Sequence, residues 1–178
     1  TRRYIKNPSD LAAVGHRIGH GGEYFDRSVV IDEDVMQKIY DTVPLLPLHG
    51  PAFVHGLEAT TSLLPGVLQV ATFDSAYHQS MEKPAYLYAI PREYYEKNQL
   101  RRYGFHGTSH HYAAKEAEKI IGHKGRFICC HLGGGASITA IKDGKSVDTT
   151  MGYTPSAGII MSTRAGDMDP YIPLHIMK

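Results

Sequence analysis

The stretch at residues 103–110 reads Tyr103-Gly104-Phe105-His106-Gly107-Thr108-Ser109-His110. Its two glycines bracket a phenylalanine and His106, so the backbone can turn tightly and bring an imidazole close to a ligand. A glycine-bracketed histidine therefore predicts either a binding turn or a simple tight turn between two elements.

A helix is predicted directly after this turn. Thr108 or Ser109 can cap its beginning, and the pattern continues to Ile121 and stops at Gly122. The N-terminal end of a helix attracts anions such as phosphate. The segment thus predicts an anion site beside His106, with an ordinary helix after a turn as the alternative.

The rest of the chain alternates strands and helices, which indicates a mixed α/β fold. Helices are predicted from residue 32 or 34 to 40, at 52–64 and at 91–97. Strands are predicted at residues 12–20, 67–73, 85–90, 127–132, 137–141 and 145–147. Asp143-Gly144 is a strong hairpin signal between the last two strands. The runs 67–73 and 127–132 are apolar, and we expect them to be buried strands in two different sheets.

Composition limits the function classes. The chain has 178 residues, 42% of them hydrophobic, and a formal net charge of +1, which argues against bulk binding to nucleic acid or to a membrane surface. It contains no apolar run of roughly 18 residues and no signal-peptide pattern. Cys129 and Cys130 lie in an apolar run, and we expect buried, reduced thiols and a cytoplasmic protein. Because it begins at Thr1 and ends at Lys178 without a terminating signal, we expect the chain to be part of a longer protein.

Two segments at strand ends are candidates for binding chemistry. The run His131-Leu132-Gly133-Gly134-Gly135 lies between two strands, where successive backbone N–H groups can converge on an anion. The alternative is a flexible β-turn. Asp74 ends a strand where an α/β sheet presents ligands, and it can face a metal or a proton or simply form a turn.

Charged and metal-ligating side chains give further candidates. Arg17 and Arg164 lie in glycine-containing segments and suit bidentate binding of carboxylate or phosphate, although such arginines are often only solvated. The chain contains 11 histidines. His106, His110 and His111 can approach one another, but their spacing matches no recognisable metal motif.

Six segments together resemble the acetate kinase family, in its order and approximate spacing. They are residues 14–22, 47–49, 73–78, 103–110, 131–137 and 148–167. The resemblance implies reversible transfer of the γ-phosphoryl group of ATP to acetate, with Mg²⁺ as cofactor, in a homodimer. It also implies a ribonuclease H-like, actin-like two-domain kinase fold. Residues 1–73 would form the rear part of the N-terminal domain and residues 74–178 the front part of the second, nucleotide-binding domain.

The resemblance also implies roles for individual residues. Arg17 and Arg164 would hold the acetyl carboxylate and the transferring phosphoryl group, and Asp74 would lie near magnesium and the reacting acetate. His106 and His49 would bond phosphoryl oxygens. The nucleotide-phosphate loop would consist of His131, Leu132, Gly133, Gly134 and Gly135. The pocket for the acetate methyl group would be lined by Gly19, Leu48, Phe105 and Pro155.

The chain departs from the family in two places. Gly134 stands where the family commonly has Asn, so backbone N–H groups would have to bind the phosphate there. Gly19 stands where the family has Val, which predicts a larger pocket and a longer acid such as propionate, unless Ile18 or Phe53 fills the space.

The family's first and last phosphate- and adenosine-binding segments do not occur in the sequence. We therefore expect a central piece of an acetate kinase that is inactive as an isolated chain. The alternatives are a propionate or related short-chain carboxylate kinase, a phosphate-binding module without catalysis, and a structural or regulatory fragment.

Overall fold

The computed structural model describes residues 7–46 and 50–178, and its helices and strands form two small sheets with helices packed against them. The strands are β1 (Ala13–Ile18), β2 (Val29–Val30), β3 (Leu68–Phe73), β4 (Arg126–Leu132), β5 (Ala136–Lys142) and β6 (Lys145–Thr149). The α-helices are α1 (Glu33–Thr42), α2 (Gly50–Leu63), α3 (Lys83–Tyr86), α4 (Glu93–Asn98), α5 (Gly107–Ile121) and α6 (Tyr171–Ile176). The 3-10 turns are Pro8–Asp10, Val43–Leu45 and Ala76–Ser80. No helix within the described ranges is both long and apolar enough to cross a membrane.

The first sheet has the strand order β1-β3-β2. β1 runs parallel to β3, and the short β2 runs antiparallel to it. A side-chain oxygen of Asp32 accepts a hydrogen bond of 2.8 Å from the backbone N–H of Val35 and caps α1, which therefore starts at the first of its two predicted positions. The main hydrophobic core lies between this sheet and helices α1 and α2, where Phe25 stacks on Phe73 with 4.2 Å between ring centroids.

The second sheet is the antiparallel set β4-β5-β6. Asp143 and Gly144 both have positive φ, 51° and 79°, which is the backbone geometry of a type I′ hairpin turn. The prediction of this hairpin, and of two separate sheets, is therefore confirmed.

The prediction that residues 127–132 form a buried strand is wrong for one face of β4. Ile128 and Leu132 are 70% and 73% exposed, and Cys130 is exposed as well. β4 is an edge strand of its sheet, and only the alternate face packs against α5. Cys129 is half-buried, so the expectation of two buried thiols is also wrong.

The N-cap of helix α5 lies two residues before Thr108, the first of its two predicted caps. His106 occupies the N-cap position in a left-handed conformation with φ of 59°, and its own side chain makes no capping hydrogen bond. Thr108 and Ser109 lie inside the first turn and bond Asp74 and His131 instead. The helix ends at Gly122, with φ of 79°, as predicted.

The predicted strand at residues 85–90 does not form. Its first residues belong to the short helix α3, which has Pro84 in its first turn, and residues 87–90 are irregular. Tyr86 makes a different contact: the Arg101 guanidinium lies 3.7 Å above the centre of its ring and also forms an ion pair with Glu23. A cation–π contact and an ion pair thus replace strand pairing here.

The 3-10 turn Ala76–Ser80 connects the two sheets. Tyr77 donates its hydroxyl to the Gly144 carbonyl at 3.2 Å, and Ser80 donates to the Ser146 carbonyl at 2.8 Å. The C-terminal end of β3 is therefore fixed against the β5–β6 hairpin.

Gly107 allows α5 to approach the end of β3, and its substitution tests this contact. A Cβ at Gly107 would lie only 2.3 Å from the Asp74 carbonyl oxygen and 2.9 Å from the Tyr77 Cβ. We expect Gly107→Ala to lower the free energy of unfolding by about 1–3 kcal/mol through overpacking, measured by urea denaturation.

The matched control for this change is Gly56→Ala, inside α2, where a Cβ would meet nothing within 4 Å. We expect it to raise the free energy of unfolding by about 0.5–1 kcal/mol, because Ala favours a helix interior over Gly. If both variants were stabilised, α5 would not pack against Asp74 as described.

Candidate active site

A cavity of about 240 Å³ lies where the ends of β1 and β3 meet the turn before α5. We call it the Asp74 cavity. It is lined by Arg17, Gly19, Leu46, Phe53, Asp74, Phe105, His106, Pro155 and Arg164. Seven of these residues, all except Leu46 and Phe53, were predicted from the sequence as site residues. The fold thus brings them together from distant parts of the chain.

Asp74 is the carboxylate of this cavity and is only 3% exposed. Arg17 donates to it twice, from Nε to Oδ1 at 3.1 Å and from a terminal nitrogen to Oδ2 at 2.5 Å. Thr108 donates its hydroxyl to Oδ1 at 3.2 Å. Because the Arg17 side chain is 68% exposed, solvent screens the pair, and its main effect is to orient two charged groups.

His106 enters the cavity from the turn before α5. Its Nδ1 lies 3.0 Å from the Ser137 hydroxyl, and its ring stacks on His131 with 4.0 Å between centroids. Burial, and secondarily the neighbouring His131, lower the pKa of His106 to about 4. The imidazole is therefore neutral near pH 7 and can donate one hydrogen bond without carrying charge.

Arg164 comes from the loop after β6 and donates to the Pro155 carbonyl at 3.0 Å. A Cβ at Gly135 would lie 3.2 Å from both a terminal Arg164 nitrogen and the Nε2 of His106. The absence of a side chain at Gly135 therefore lets the glycine loop lie against these two cavity residues.

The glycine loop, residues 133–135, is shaped by two hydrogen bonds. The Gly133 N–H donates to the Gly135 carbonyl at 3.0 Å, and Ser162 donates its hydroxyl to the Gly134 carbonyl at 2.8 Å. Of the candidate loop residues, His131 bonds Ser109 at 2.9 Å, whereas the Leu132 side chain is exposed. The loop therefore borders the cavity, and its phosphate-binding role remains a prediction.

The apolar wall of the cavity consists of Leu46, Phe53, Phe105 and Pro155. A Cβ at Gly19 would lie 2.9 Å from the Phe53 ring and 3.0 Å from a Leu46 methyl group. The enlargement predicted beside Gly19 is therefore not present, because these two side chains occupy the space. The sequence suggested Ile18 or Phe53 as the residue that could do this; Phe53 does so together with Leu46, which was not predicted.

Two predicted site residues, Leu48 and His49, lie outside the described residues. The structure adds Thr108, Ser109 and Ser137, which support Asp74, His131 and His106. Thr108 and Ser109 stand in the turn at residues 103–110, but the sequence predicted them as helix caps and not as hydrogen-bond partners of Asp74 and His131. Ser137 gave no signal beyond its place after the glycine loop.

The histidines do not form a metal centre in the described part of the chain. His106 and His110 both bond the Ser137 hydroxyl, whereas His111 stacks on Tyr77 with 4.9 Å between centroids. Residues 7–46 and 50–178 contain no group of three or more His, Cys, Asp or Glu side chains that could hold a metal ion by themselves.

Comparison with known proteins assigns the chain to a family. The sequence model of the acetokinase family matches residues 1–178. The curated acetate kinases of Thermotoga maritima and Clostridium acetobutylicum are 55% and 53% identical over 98% and 97% of this chain. The chain spans about 44% of the length of these curated relatives.

Solved structures agree with the sequence comparison. A propionate kinase from Francisella tularensis superimposes with a TM-score of 0.92 and 46% identity, covering 96% of this chain and 45% of its own. The Porphyromonas gingivalis acetate kinase gives 0.91 and 47%, covering 97% of this chain and 44% of its own. The predicted fold class, a partly covered actin-like kinase fold, is confirmed. The chain belongs to the acetokinase family.

Proposed function

We propose that the protein carrying this chain is an acetate kinase, which transfers the γ-phosphoryl group of ATP reversibly to the carboxylate of acetate. The products are acetyl phosphate and ADP. The observation that carries this proposal is the Asp74 cavity, where Arg17, Arg164, His106 and an apolar wall surround one space of about 240 Å³.

The charges of the cavity suit this reaction. Two guanidinium groups, Arg17 and Arg164, and one carboxylate, Asp74, leave one excess positive charge for an anionic substrate. Guanidinium groups bind carboxylate and phosphoryl oxygens through paired N–H donors. In phosphoryl transfer the charge spreads over equatorial oxygens, and fixed donors around that position stabilise the transition state.

The apolar wall supports binding of a short alkyl group beside the charged residues. Phe53 and Leu46 fill the volume that Gly19 leaves, and Phe105 and Pro155 complete the wall. A substrate with a carboxylate at one end and a methyl group at the other matches this division. His106, His49 and the glycine loop would then bond the phosphoryl group, with backbone N–H groups acting alone at Gly134.

Asp74 fits the role of a Mg²⁺ ligand. A carboxylate has about four acceptor positions, and the described residues use three of them through Arg17 and Thr108. Mg²⁺ in kinases is commonly held by one or two carboxylates together with substrate phosphates, whose negative charge it neutralises. Asp74 would supply the protein oxygen, and ATP the others.

Several finer points belong to this proposal. The boundary between the two kinase domains would fall at residues 73/74, because one sheet precedes it and the other follows. The protein would be a cytoplasmic homodimer. Propionate is the second candidate substrate, supported by the structural similarity to a propionate kinase.

The first prediction from the proposed function concerns the reaction itself. The protein carrying this sequence should form acetyl phosphate from acetate and MgATP, and ATP from acetyl phosphate and MgADP. Trapping acetyl phosphate with hydroxylamine measures the forward reaction. A protein that produces no acyl phosphate from acetate or propionate would be a phosphate-binding module, and the proposal would be wrong.

The second prediction separates the two arginines. Arg164→Ala should lower kcat about 10²- to 10³-fold with little change in the KM for ATP, because its guanidinium would contact charge that develops during transfer. Arg17→Ala should also raise the KM for acetate, because it would hold the carboxylate before reaction. Steady-state kinetics with each substrate varied in turn measures both effects.

The control for these variants is Arg27→Ala, an exposed arginine whose ion pair is with its neighbour Asp26. We expect wild-type kinetics for it. Equally small losses from all three substitutions would mean that Arg17 and Arg164 are ordinary surface arginines.

The third prediction concerns the size of the acid. Phe53→Ala should shift the ratio of kcat/KM values towards propionate, since one methylene in such a pocket is worth about 10- to 200-fold. Adding Gly19→Val to Phe53→Ala should restore part of the preference for acetate by refilling the space. Phe127→Ala, at a half-buried Phe that does not line the cavity, is the control. An unchanged ratio in Phe53→Ala would show that this ring does not limit the acyl group.

A further inference from the structure

A cluster of histidines and serines lies beside the Asp74 cavity, on the side of β4 and β5. The cluster consists of His106, His110, His131, Ser109 and Ser137. Ser137 is its centre, because its hydroxyl lies 3.0 Å from the Nδ1 of His106 and 2.7 Å from the Nε2 of His110. Ser137 and His110 are both fully buried.

A serine hydroxyl carries a single proton and can donate to only one of these two nitrogens. In one arrangement His110 donates from Nε2 to Ser137, and Ser137 donates to the Nδ1 of His106. In the reverse arrangement His106 donates from Nδ1, and Ser137 donates to His110. In a third, both rings donate to the serine oxygen, and the hydroxyl proton must find another acceptor.

The surroundings of His110 distinguish the first two arrangements. Its Nδ1 is buried and has no hydrogen-bond partner within residues 7–46 and 50–178. In the reverse arrangement this Nδ1 would carry the proton, which leaves a buried N–H group without an acceptor. Orphaned buried N–H donors are rarer in proteins than under-satisfied acceptors, and they carry the full cost of lost hydration. The first arrangement leaves only a lone pair at Nδ1.

The third arrangement fails at Ser137. Its hydroxyl is fully buried, and the described residues offer it only the two imidazole nitrogens. If both nitrogens were donors, the hydroxyl proton would itself be unpaired. The first arrangement is the one that leaves neither Ser137 nor His110 with an unpaired buried proton, while the remaining proton of His106 lies on Nε2.

We propose that Ser137 is a positioning residue that holds His106 in the tautomer with its proton on Nε2, the ring nitrogen beside Gly135 and Arg164. The order of donation runs from His110 to Ser137 to His106. Resting on the proposed function, the Nε2–H group then serves as the neutral donor for a phosphoryl oxygen. The opposite tautomer would present a lone pair to that oxygen and repel it.

Two further contacts fix the direction of the donor. His131 stacks on the His106 ring with 4.0 Å between centroids and is itself held by Ser109 in the first turn of α5. His106 also has a left-handed backbone at the N-cap of that helix. The ring plane is therefore set by the fold, and the proton position is set by Ser137.

Nuclear magnetic resonance of protein with ¹⁵N-labelled histidine tests the proposal without substrate. Burial lowers the pKa of His106 to about 4 and that of His110 to about 3, so both rings are neutral at about pH 7.5. The ¹⁵N shifts then distinguish a protonated from an unprotonated ring nitrogen. We expect His106 and His110 each to show a protonated Nε2 and an unprotonated Nδ1. A His106 ring protonated at Nδ1, or an even mixture of both forms, would overturn the proposal.

Three variants complete the experiment. Ser137→Ala should convert His106 to a mixture of tautomers, and Ser137→Thr, which keeps the hydroxyl, should retain the single form. Ser146→Ala is the matched control, because Ser146 is an equally buried serine that bonds His78 at 2.8 Å. It should change the His78 signals and leave His106 unchanged. A single, unchanged His106 tautomer in Ser137→Ala would contradict the inference.

These readouts separate the inference from the proposed function. If the protein forms no acyl phosphate but the tautomers are as expected, the kinase proposal fails and the role of Ser137 stands. If it forms acyl phosphate but His106 carries its proton on Nδ1, the role of Ser137 fails alone.

Discussion

A carboxylate buried at the end of a strand needs fixed partners, and the partners of Asp74 come from both halves of this structure. Arg17, beside it on β1, donates two hydrogen bonds, while Thr108 of α5 donates a third and the Gly107 N–H bonds the Asp74 carbonyl at 2.8 Å. The parallel pairing of β1 with β3 sets Arg17 close enough to reach it. The first sheet is thereby joined to the helix that carries His106, and the cavity forms at that junction.

The cavity combines a charged, hydrogen-bonding surface with an apolar one. On one side, guanidinium groups and a neutral imidazole offer donors to an anion, and burial keeps His106 uncharged by lowering its pKa to about 4. On the other side, Phe53 and Leu46 exclude water from the space beside Gly19. Under the proposed function, a small carboxylic acid that accepts a phosphoryl group would use both surfaces at once, since its reacting oxygens and its alkyl group lie only a few bonds apart.

Sequence patterns predicted the local elements well where chemistry leaves little choice. The helix start at Asp32, the helix stop at Gly122 and the hairpin at Asp143-Gly144 all formed as expected. Predictions failed where a distant partner decided the outcome. Thr108 donates a hydrogen bond to Asp74 instead of capping α5, and the Tyr86 ring packs under the Arg101 guanidinium instead of joining a strand. Similarly, Phe53 and Leu46 fill the space beside Gly19, and the spacing of residues along the sequence does not predict such packing. The six family segments predicted seven of the residues that line the Asp74 cavity. These segments did so because they belong to a family resemblance that covers distant parts of the chain together, whereas spacing rules apply only to neighbouring residues.

The central claim is that Arg17, Asp74, His106 and Arg164 surround a single binding place for a short carboxylic acid and its phosphoryl group. A crystal structure of the protein with acetyl phosphate tests it most directly. We expect the phosphoryl oxygens within hydrogen-bond distance of Arg164 and the His106 Nε2, with the methyl group against Phe53 and Phe105. Acetyl phosphate bound instead in the larger cavity of about 430 Å³ lined by Arg102, Asp148 and Asp167, with the Asp74 cavity holding only solvent, would contradict the account.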